Sequence, residues 1–182
     1  MLVLGGTRSG KSQFAEDLAL SAANGDKVTY FATAHVEATD ASHQARIQQH
    51  RQRRPDHWVT VECPHRDGLI EGLGRDISPG GVALVDSLGT WVAAGYNTDG
   101  GPDDMGVDLV DRLVAQLVAL RQSQSTVVVV SEEVGLSIHA PSEVGRWFVD
   151  AVGTVNQAVS KVADRAVLVV AGRPLELGPS RC

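Results

Sequence analysis

Two hydrophobic patterns alternate along the chain. Short apolar runs rich in β-branched residues, continuous rather than alternating, predict strands covered on both faces at residues 2–4, 27–32, 82–85, 126–130 and 166–170. Between them, apolar positions at helical spacing predict helices at residues 11–23, 41–53, 104–122 and 142–163. Strands that alternate with helices indicate an α/β fold, with a mostly parallel sheet flanked by helices.

The stretch 95–104 is rich in Gly, Asn, Asp and Pro, which are residues that favour turns. It predicts a surface loop within the domain rather than a domain boundary. Such a loop could serve as a lid over a site, but a solvated connection is the simpler interpretation.

Length and composition narrow the class of protein. A chain of 182 residues fits a single domain, residues 1–182, with a core that needs no disulfide framework. A net charge of −6 argues against general binding to nucleic acid or to an anionic membrane surface. Only Cys63 and Cys182 are present, and we find no export signal and no apolar run of about 20 residues that could span a membrane. We therefore expect a soluble cytoplasmic protein.

The first predicted strand runs into a glycine-rich loop that matches G-x-x-x-x-G-K-(S/T) in full. The matching residues are Gly5, Gly6, Thr7, Arg8, Ser9, Gly10, Lys11 and Ser12. A strand before the loop and a helix after it are the context that this phosphate-binding motif requires. The motif predicts that Lys11 contacts the β- and γ-phosphates of a nucleoside triphosphate and that the Ser12 hydroxyl is a ligand of Mg²⁺. The predicted fold is therefore P-loop NTPase-like.

A carboxylate at a neighbouring strand end would complete a magnesium site. Asp86 directly follows the apolar strand at 82–85 and is the first candidate for a metal ligand. Glu132 and Glu133 follow the next apolar strand, at the same predicted edge of the sheet. The alternative is that these acidic residues only cap a helix or stabilise a turn.

A basic segment stands out in this acidic chain. Four arginines and one histidine lie within residues 46–55, namely Arg46, His50, Arg51, Arg53 and Arg54. On a helix they would form one basic face around the imidazole of His50, and such a face could hold a triphosphate. A solvated charged helix face is the alternative. A zinc site is disfavoured, because His43, His50 and His57 are each seven residues apart, or about 10 Å on a helix.

Taken together, these motifs resemble the adenosylcobinamide kinase/adenosylcobinamide-phosphate guanylyltransferase family. The resemblance covers nearly the whole chain, through residues 4–12, 30–34, 46–55, 85–88, 133–135, 153–157 and 171–174, with Trp58, Glu62, Trp91 and Pro141. It implies a bifunctional enzyme that phosphorylates adenosylcobinamide with ATP or GTP. The enzyme then transfers GMP from GTP to the phosphate, which gives adenosylcobinamide-GDP. The resemblance also implies a homo-oligomer, namely a trimer.

The resemblance further implies roles for single residues. The histidine that accepts GMP covalently in the family matches His50, which with Lys11 makes the predicted catalytic pair. The guanine nucleotide would contact the glycine-rich loop and Thr33, Ala34, Arg51, Gln52, Arg53, Arg54, Glu62 and Asp86. The predicted Mg²⁺ ligands stay Ser12 and Asp86, from the loop motif and the strand end described above.

Some features depart from the family pattern or favour other classes. Glu132 stands where the pattern leads us to expect Asn, and the segment at 34–45 is slightly longer than usual. The NKxD motif that reads guanine is missing, so only the resemblance indicates GTP. A P-loop small-molecule kinase or ATPase without nucleotidyl transfer is the main alternative, and it would not need His50. A GTP-dependent switch is disfavoured by the missing motif.

Overall fold

The computed structural model describes residues 1–34, 54–97, 101–102, 107–136 and 140–180, which form an α/β fold. The strands are β1 (Leu2–Gly5), β2 (Val28–Ala32), β3 (Val59–Glu62), β4 (Val82–Asp86), β5 (Tyr96–Asn97), β6 (Gly101–Pro102), β7 (Thr126–Glu132), β8 (Ala166–Val170) and β9 (Arg173–Leu177). The helices are α1 (Lys11–Ala23), α2 (Arg66–Arg75), α3 (Leu88–Ala93), α4 (Val107–Gln122) and α5 (Glu143–Val162). None of these helices is long and apolar enough to cross a lipid bilayer.

Seven strands form one sheet in the order β3-β2-β4-β7-β1-β8-β9. Six run parallel, and β9 pairs antiparallel with β8 at the edge. Strand β7 lies between β1 and β4, so that Glu132 is opposite Gly5 while Asp86 is opposite Val130. The carboxyl ends of β1, β4 and β7 therefore meet at one edge of the sheet, which is where α/β proteins of this type bind ligands.

The core has two layers because successive strand residues face opposite sides of the sheet. In β1, Val3 packs on the side of α1 against Ala15 and Ala19, while Leu2 and Leu4 face the side covered by α2 to α5. All three β1 side chains are buried. Burial on both faces explains why the sequence runs are continuously apolar.

Residues outside the helices define the start of α5 and the end of α1. The Ser142 hydroxyl caps α5 by accepting a hydrogen bond from the N–H of Gly145 at 3.2 Å. Helix α1 ends where Asn24 and Gly25 adopt positive φ angles of 48° and 95°, a left-handed conformation that stops a helix.

The predicted elements recur in the structure with small shifts. All five predicted strands are confirmed, and three predicted helices correspond to α1, α4 and α5. The predicted helix at 41–53 lies outside the described residues, as do residues 103–106 before α4. Within the stretch predicted as a surface loop at 95–104, the short strands β5 and β6 pair antiparallel. Strand β3, strand β9 and helices α2 and α3 were not predicted.

Candidate active site

The glycine-rich loop of residues 5–12, called the 5–12 loop below, turns sharply between β1 and α1. Gly10 has a φ of 93°, and the N–H of Ser9 donates to the Gly6 carbonyl at 3.2 Å. A Cβ on Gly5 would overlap the Ser9 hydroxyl and approach the Val169 carbonyl to 2.9 Å. Glycine is therefore required at both ends of the turn, by backbone angle at Gly10 and by space at Gly5.

The turn between β8 and β9 supports the 5–12 loop from the far side of β1. The N–H of Gly172 donates to the Ser9 carbonyl at 2.7 Å. A Cβ on Gly10 would lie 3.3 Å from the Gly172 Cα, so the two backbones are in close contact. This contact fixes the loop against the sheet.

Lys11 begins α1 and points its ammonium group to the carboxyl edge of the sheet. Its Nζ lies 3.4 Å from the Gly6 carbonyl and 3.5 Å from Oε1 of Glu132. The Lys11 side chain is 12% exposed and that of Glu132 is 25% exposed, so the ion pair is only partly hydrated. The structure thus holds the ammonium group over the loop through an ion pair with the end of β7.

Glu132 is itself held by the start of α3. Both of its carboxylate oxygens accept from the Ser87 hydroxyl at 3.0 Å, and Oε2 accepts from the N–H of Gly89 at 2.9 Å. A Cβ on Gly89 would overlap this carboxylate. A carboxylate at the start of a helix is also favoured by the helix dipole. Glu132 therefore links β7, α3 and the 5–12 loop, a role that the sequence interpretation left unassigned.

Asp86, the last residue of β4, accepts hydrogen bonds from the hydroxyl groups of two side chains. The Ser12 hydroxyl donates to Oδ1 at 3.4 Å and the Tyr30 hydroxyl donates to Oδ2 at 3.0 Å. Hydroxyl and carboxylate oxygens are ligands that Mg²⁺ prefers, and Mg²⁺ usually takes only one or two protein carboxylates. The pairing of Ser12 with Asp86 at the mouth of the 5–12 loop fits such an ion.

Tyr30 lies behind Asp86 and contacts Arg54 through its ring. The side chain is buried, and burial, followed by the nearby Asp86 charge, raises the pKa of the Tyr30 phenol well above its usual value of 10. The Arg54 guanidinium carbon lies 3.7 Å from the ring centre, a cation–π contact. Nη1 of Arg54 also donates to the Thr60 hydroxyl at 3.2 Å.

Thr33 is fully buried just after β2, where it joins this strand to the start of α3. Its hydroxyl accepts from the N–H of Ser87 at 2.8 Å and contacts the Thr90 hydroxyl at 2.6 Å. These bonds stabilise the backbone between Asp86 and α3. The nucleotide contact expected for the Thr33 region stays a prediction.

The structure describes some of the other candidate site residues and not others. Ala34 is half-buried after β2, and Glu62 is exposed at the end of β3, where it lies opposite Ala32. His50, Arg51, Gln52 and Arg53 lie outside the described residues, so their roles stay predictions. The Glu133 carboxylate faces its own turn, where it accepts from the N–H of Gly135 at 2.7 Å.

The structure thus brings together Lys11, Ser12, Asp86 and Glu132. The sequence interpretation missed Tyr30, Ser87 and Thr90 as supporting residues. Asp86 is the last residue of a buried strand and Ser87 follows it, which is a usable signal. Tyr30 belongs to the 30–34 segment of the resemblance, but its place inside a strand indicated no contact with Asp86.

We expect Glu132→Ala to lower the free energy of unfolding by about 1–3 kcal/mol, because the Gly89 N–H and the Ser87 hydroxyl lose their acceptor and Lys11 loses its partner. Urea unfolding followed by circular dichroism measures the change. Glu133→Ala is the matched control, since its carboxylate caps an exposed turn at Gly135 and Leu136. Equal losses in the two variants would contradict the linking role of Glu132.

Comparison with known proteins identifies one family and several similar relatives. The model of the family described as cobinamide kinase/cobinamide phosphate guanyltransferase matches residues 1–177. The bifunctional adenosylcobalamin biosynthesis protein CobU of Escherichia coli is 36% identical over 181 residues, with 94% of this chain and 96% of the relative covered. The CobP protein of the same description from Pseudomonas aeruginosa is 38% identical over 176 residues, with 97% and 95% covered.

CobU of Salmonella typhimurium gives similar values, with 36% identity over 181 residues and 94% and 96% of the two chains covered. The stretch that the family model matches, residues 1–177, includes the 5–12 loop, Asp86 and Glu132. This chain belongs to the cobinamide kinase/cobinamide phosphate guanyltransferase family.

Proposed function

We propose that this chain is a bifunctional enzyme that phosphorylates adenosylcobinamide and then transfers GMP from GTP to the resulting phosphate. Its relatives are named as bifunctional adenosylcobalamin biosynthesis proteins, which favours this function over that of a kinase without nucleotidyl transfer. The single structural observation that supports it most is the grouping of Lys11, Ser12 and Asp86 at the mouth of the 5–12 loop. That grouping suits the binding of a triphosphate.

In the proposed kinase step, the acceptor hydroxyl oxygen of adenosylcobinamide attacks the γ-phosphorus of ATP or GTP. The bond from that phosphorus to the β–γ bridging oxygen breaks, the nucleoside diphosphate leaves, and the hydroxyl proton passes to solvent. Lys11 and the N–H groups of the 5–12 loop would bind the phosphates and stabilise their charge. Mg²⁺, held by Ser12 and Asp86, would neutralise further phosphate charge when bound.

In the proposed guanylyl step, a ring nitrogen of His50 attacks the α-phosphorus of GTP and pyrophosphate leaves. A phosphate oxygen of adenosylcobinamide phosphate then attacks the same phosphorus, which frees the histidine and yields adenosylcobinamide-GDP. The covalent intermediate divides a displacement between two anions into two easier steps. Arg54 and the preceding arginines would stabilise the charge on the α-phosphate.

The proposal also covers the setting in which the enzyme works. We place the chain in the cytoplasm, because it has two cysteines and the described Cys63 is a free, buried thiol. Its length of 182 residues fits a single domain. Burial raises the pKa of the Cys63 thiol to about 11, which makes it unreactive at neutral pH. A homo-oligomer, and specifically a trimer, rests on the family resemblance.

Labelled GTP tests the two activities together. The protein is incubated with adenosylcobinamide and either α-³²P- or γ-³²P-labelled GTP, and the products are separated under denaturing conditions. We expect γ-label on cobinamide, and α-label first on the protein as an acid-labile adduct and then on cobinamide. Omission of cobinamide should leave the α-labelled protein adduct in place. Transfer of γ-label without any α-label would identify a kinase alone and would contradict the proposal.

A further inference from the structure

The Tyr30 hydroxyl bonds to one particular carboxylate oxygen of Asp86. Tyr30 lies opposite Leu84 of β4, so the next residue of β4 on the same face of the sheet is Asp86. The ring spans this diagonal distance, and its hydroxyl meets Oδ2 of Asp86 at 3.0 Å. Oδ1 is the oxygen that accepts from Ser12. The two carboxylate oxygens are therefore bound by different donors, with the buried phenol on one oxygen and the 5–12 loop on the other.

Tyr30 also contacts Arg54, through the face of its ring. Thr60 is the β3 partner of Tyr30 in the sheet. Arg54 lies over the Tyr30 ring at 3.7 Å and bonds to this same Thr60 at 3.2 Å. The ring is only 4% exposed, so its position is set by the core and not by solvent. One rigid side chain thus contacts both the Asp86 carboxylate and the Arg54 guanidinium.

We infer that Tyr30 is a positioning residue of the nucleotide site, which sets the rotation of the Asp86 carboxylate without itself touching the nucleotide. A carboxylate can rotate about its terminal bond, and a hydrogen bond on one oxygen restricts that rotation. Outer residues that hold metal-binding carboxylates in this way typically change metal affinity or activity by about 10–100-fold when lost. This inference rests on the proposed function, since it assumes that Asp86 serves Mg²⁺ and nucleotide.

Tyr30→Phe isolates the hydroxyl, because the phenylalanine ring still packs in the core and beneath Arg54. We expect the affinity for Mn²⁺, measured by electron paramagnetic resonance in the presence of GDP, to fall by about tenfold or more. Turnover in the kinase step should stay close to that of the parent at saturating Mg²⁺, while the Mg²⁺ concentration for half-maximal rate rises. A purely structural role would not separate these two quantities.

Tyr96→Phe is the matched control. Tyr96 is more exposed, at 36%, and its ring packs against Trp147 with centroids 5.7 Å apart. The same loss of one oxygen there should leave Mn²⁺ affinity unchanged. If Tyr30→Phe and Tyr96→Phe bind Mn²⁺ equally well, the inference is overturned.

A double variant tests whether Tyr30 acts through Asp86. In an Asp86→Asn background, Tyr30→Phe should cause little further loss of Mn²⁺ affinity, because residues that act as one unit are not additive. A loss as large as in the parent background would overturn the inference. A parent protein that binds Mn²⁺ with GDP but transfers nothing to cobinamide would refute the proposed function and leave the Tyr30 test interpretable.

Discussion

Lys11→Ala should reduce both the kinase and the guanylyltransferase activities by about 10²- to 10³-fold, the usual effect of losing one donor to a reacting phosphoryl or acyl group. The reason is that the Lys11 ammonium group lies over the 5–12 loop, 3.4 Å from the Gly6 carbonyl. It would contact the same phosphates whichever phosphorus is attacked. Rates of both half-reactions, measured side by side on one preparation, give the test.

Lys27→Ala is the control for Lys11→Ala, since Lys27 is exposed just before β2 at the opposite edge of the sheet. It should leave both activities unchanged. Thermal unfolding of each variant separates loss of chemistry from loss of fold, because Lys11→Ala also leaves Glu132 without its ion-pair partner. If Lys11→Ala lost only one activity, the two reactions would use separate nucleotide sites and the shared-site proposal would be wrong.

Buried parallel strands were the most predictable part of the fold. Strand β8 begins and ends at the predicted residues, and α1 has the predicted bounds of Lys11–Ala23. Strands covered on both faces need apolar residues at every position, so their signal does not depend on knowing which face is inside. Helix α1 is marked by the motif before it and by alanines that recur on one side.

Elements at the sheet edge and short helices were less predictable. All residues of β9 are exposed and one of them is Pro174, which is tolerated only at a sheet edge. Helix α2 contains Gly68, Gly72 and Gly74, which lower helix propensity. A Cβ on Gly72 would lie 2.9 Å from the Phe31 ring, so this glycine serves packing that only the folded structure reveals.

The residues of the candidate site also differ in how well the sequence predicts them. Lys11 and Ser12 follow from a local motif, and Asp86 follows from the rule that parallel strand ends share an edge. The ion pair between Lys11 and Glu132 depends on the insertion of β7 between β1 and β4, and strand order is not readable from hydrophobic patterns. Tyr30 could not be recognised for a similar reason, because its contact with Asp86 requires the pairing of β2 with β4.

His50→Ala should abolish both the covalent guanylyl-enzyme and the transfer of GMP, yet leave phosphorylation of adenosylcobinamide largely intact. The prediction rests on the basic segment at 46–55 and on the covalent histidine that the family resemblance implies. An imidazole is largely neutral at pH 7 and is then a competent nucleophile. Transfer of a γ-phosphoryl group to a hydroxyl needs positioning and charge stabilisation, which Lys11, Ser12 and Asp86 would supply under the proposed function, but it needs no protein nucleophile.

The chemistry of the adduct sharpens the test of His50. Incubation with α-³²P-labelled GTP should label the parent, His43→Ala and His57→Ala, whose histidines flank His50 at equal spacing, and should not label His50→Ala. A phosphoramidate on histidine is lost in mild acid and survives base, whereas a phosphoester on serine or threonine behaves in the opposite way. If an acid-labile guanylyl adduct persisted in His50→Ala, another histidine would be the nucleophile and the prediction for His50 would be wrong. Equal loss of kinase and guanylyl activity would instead show that His50 supports the nucleotide site as a whole, and not the second step alone.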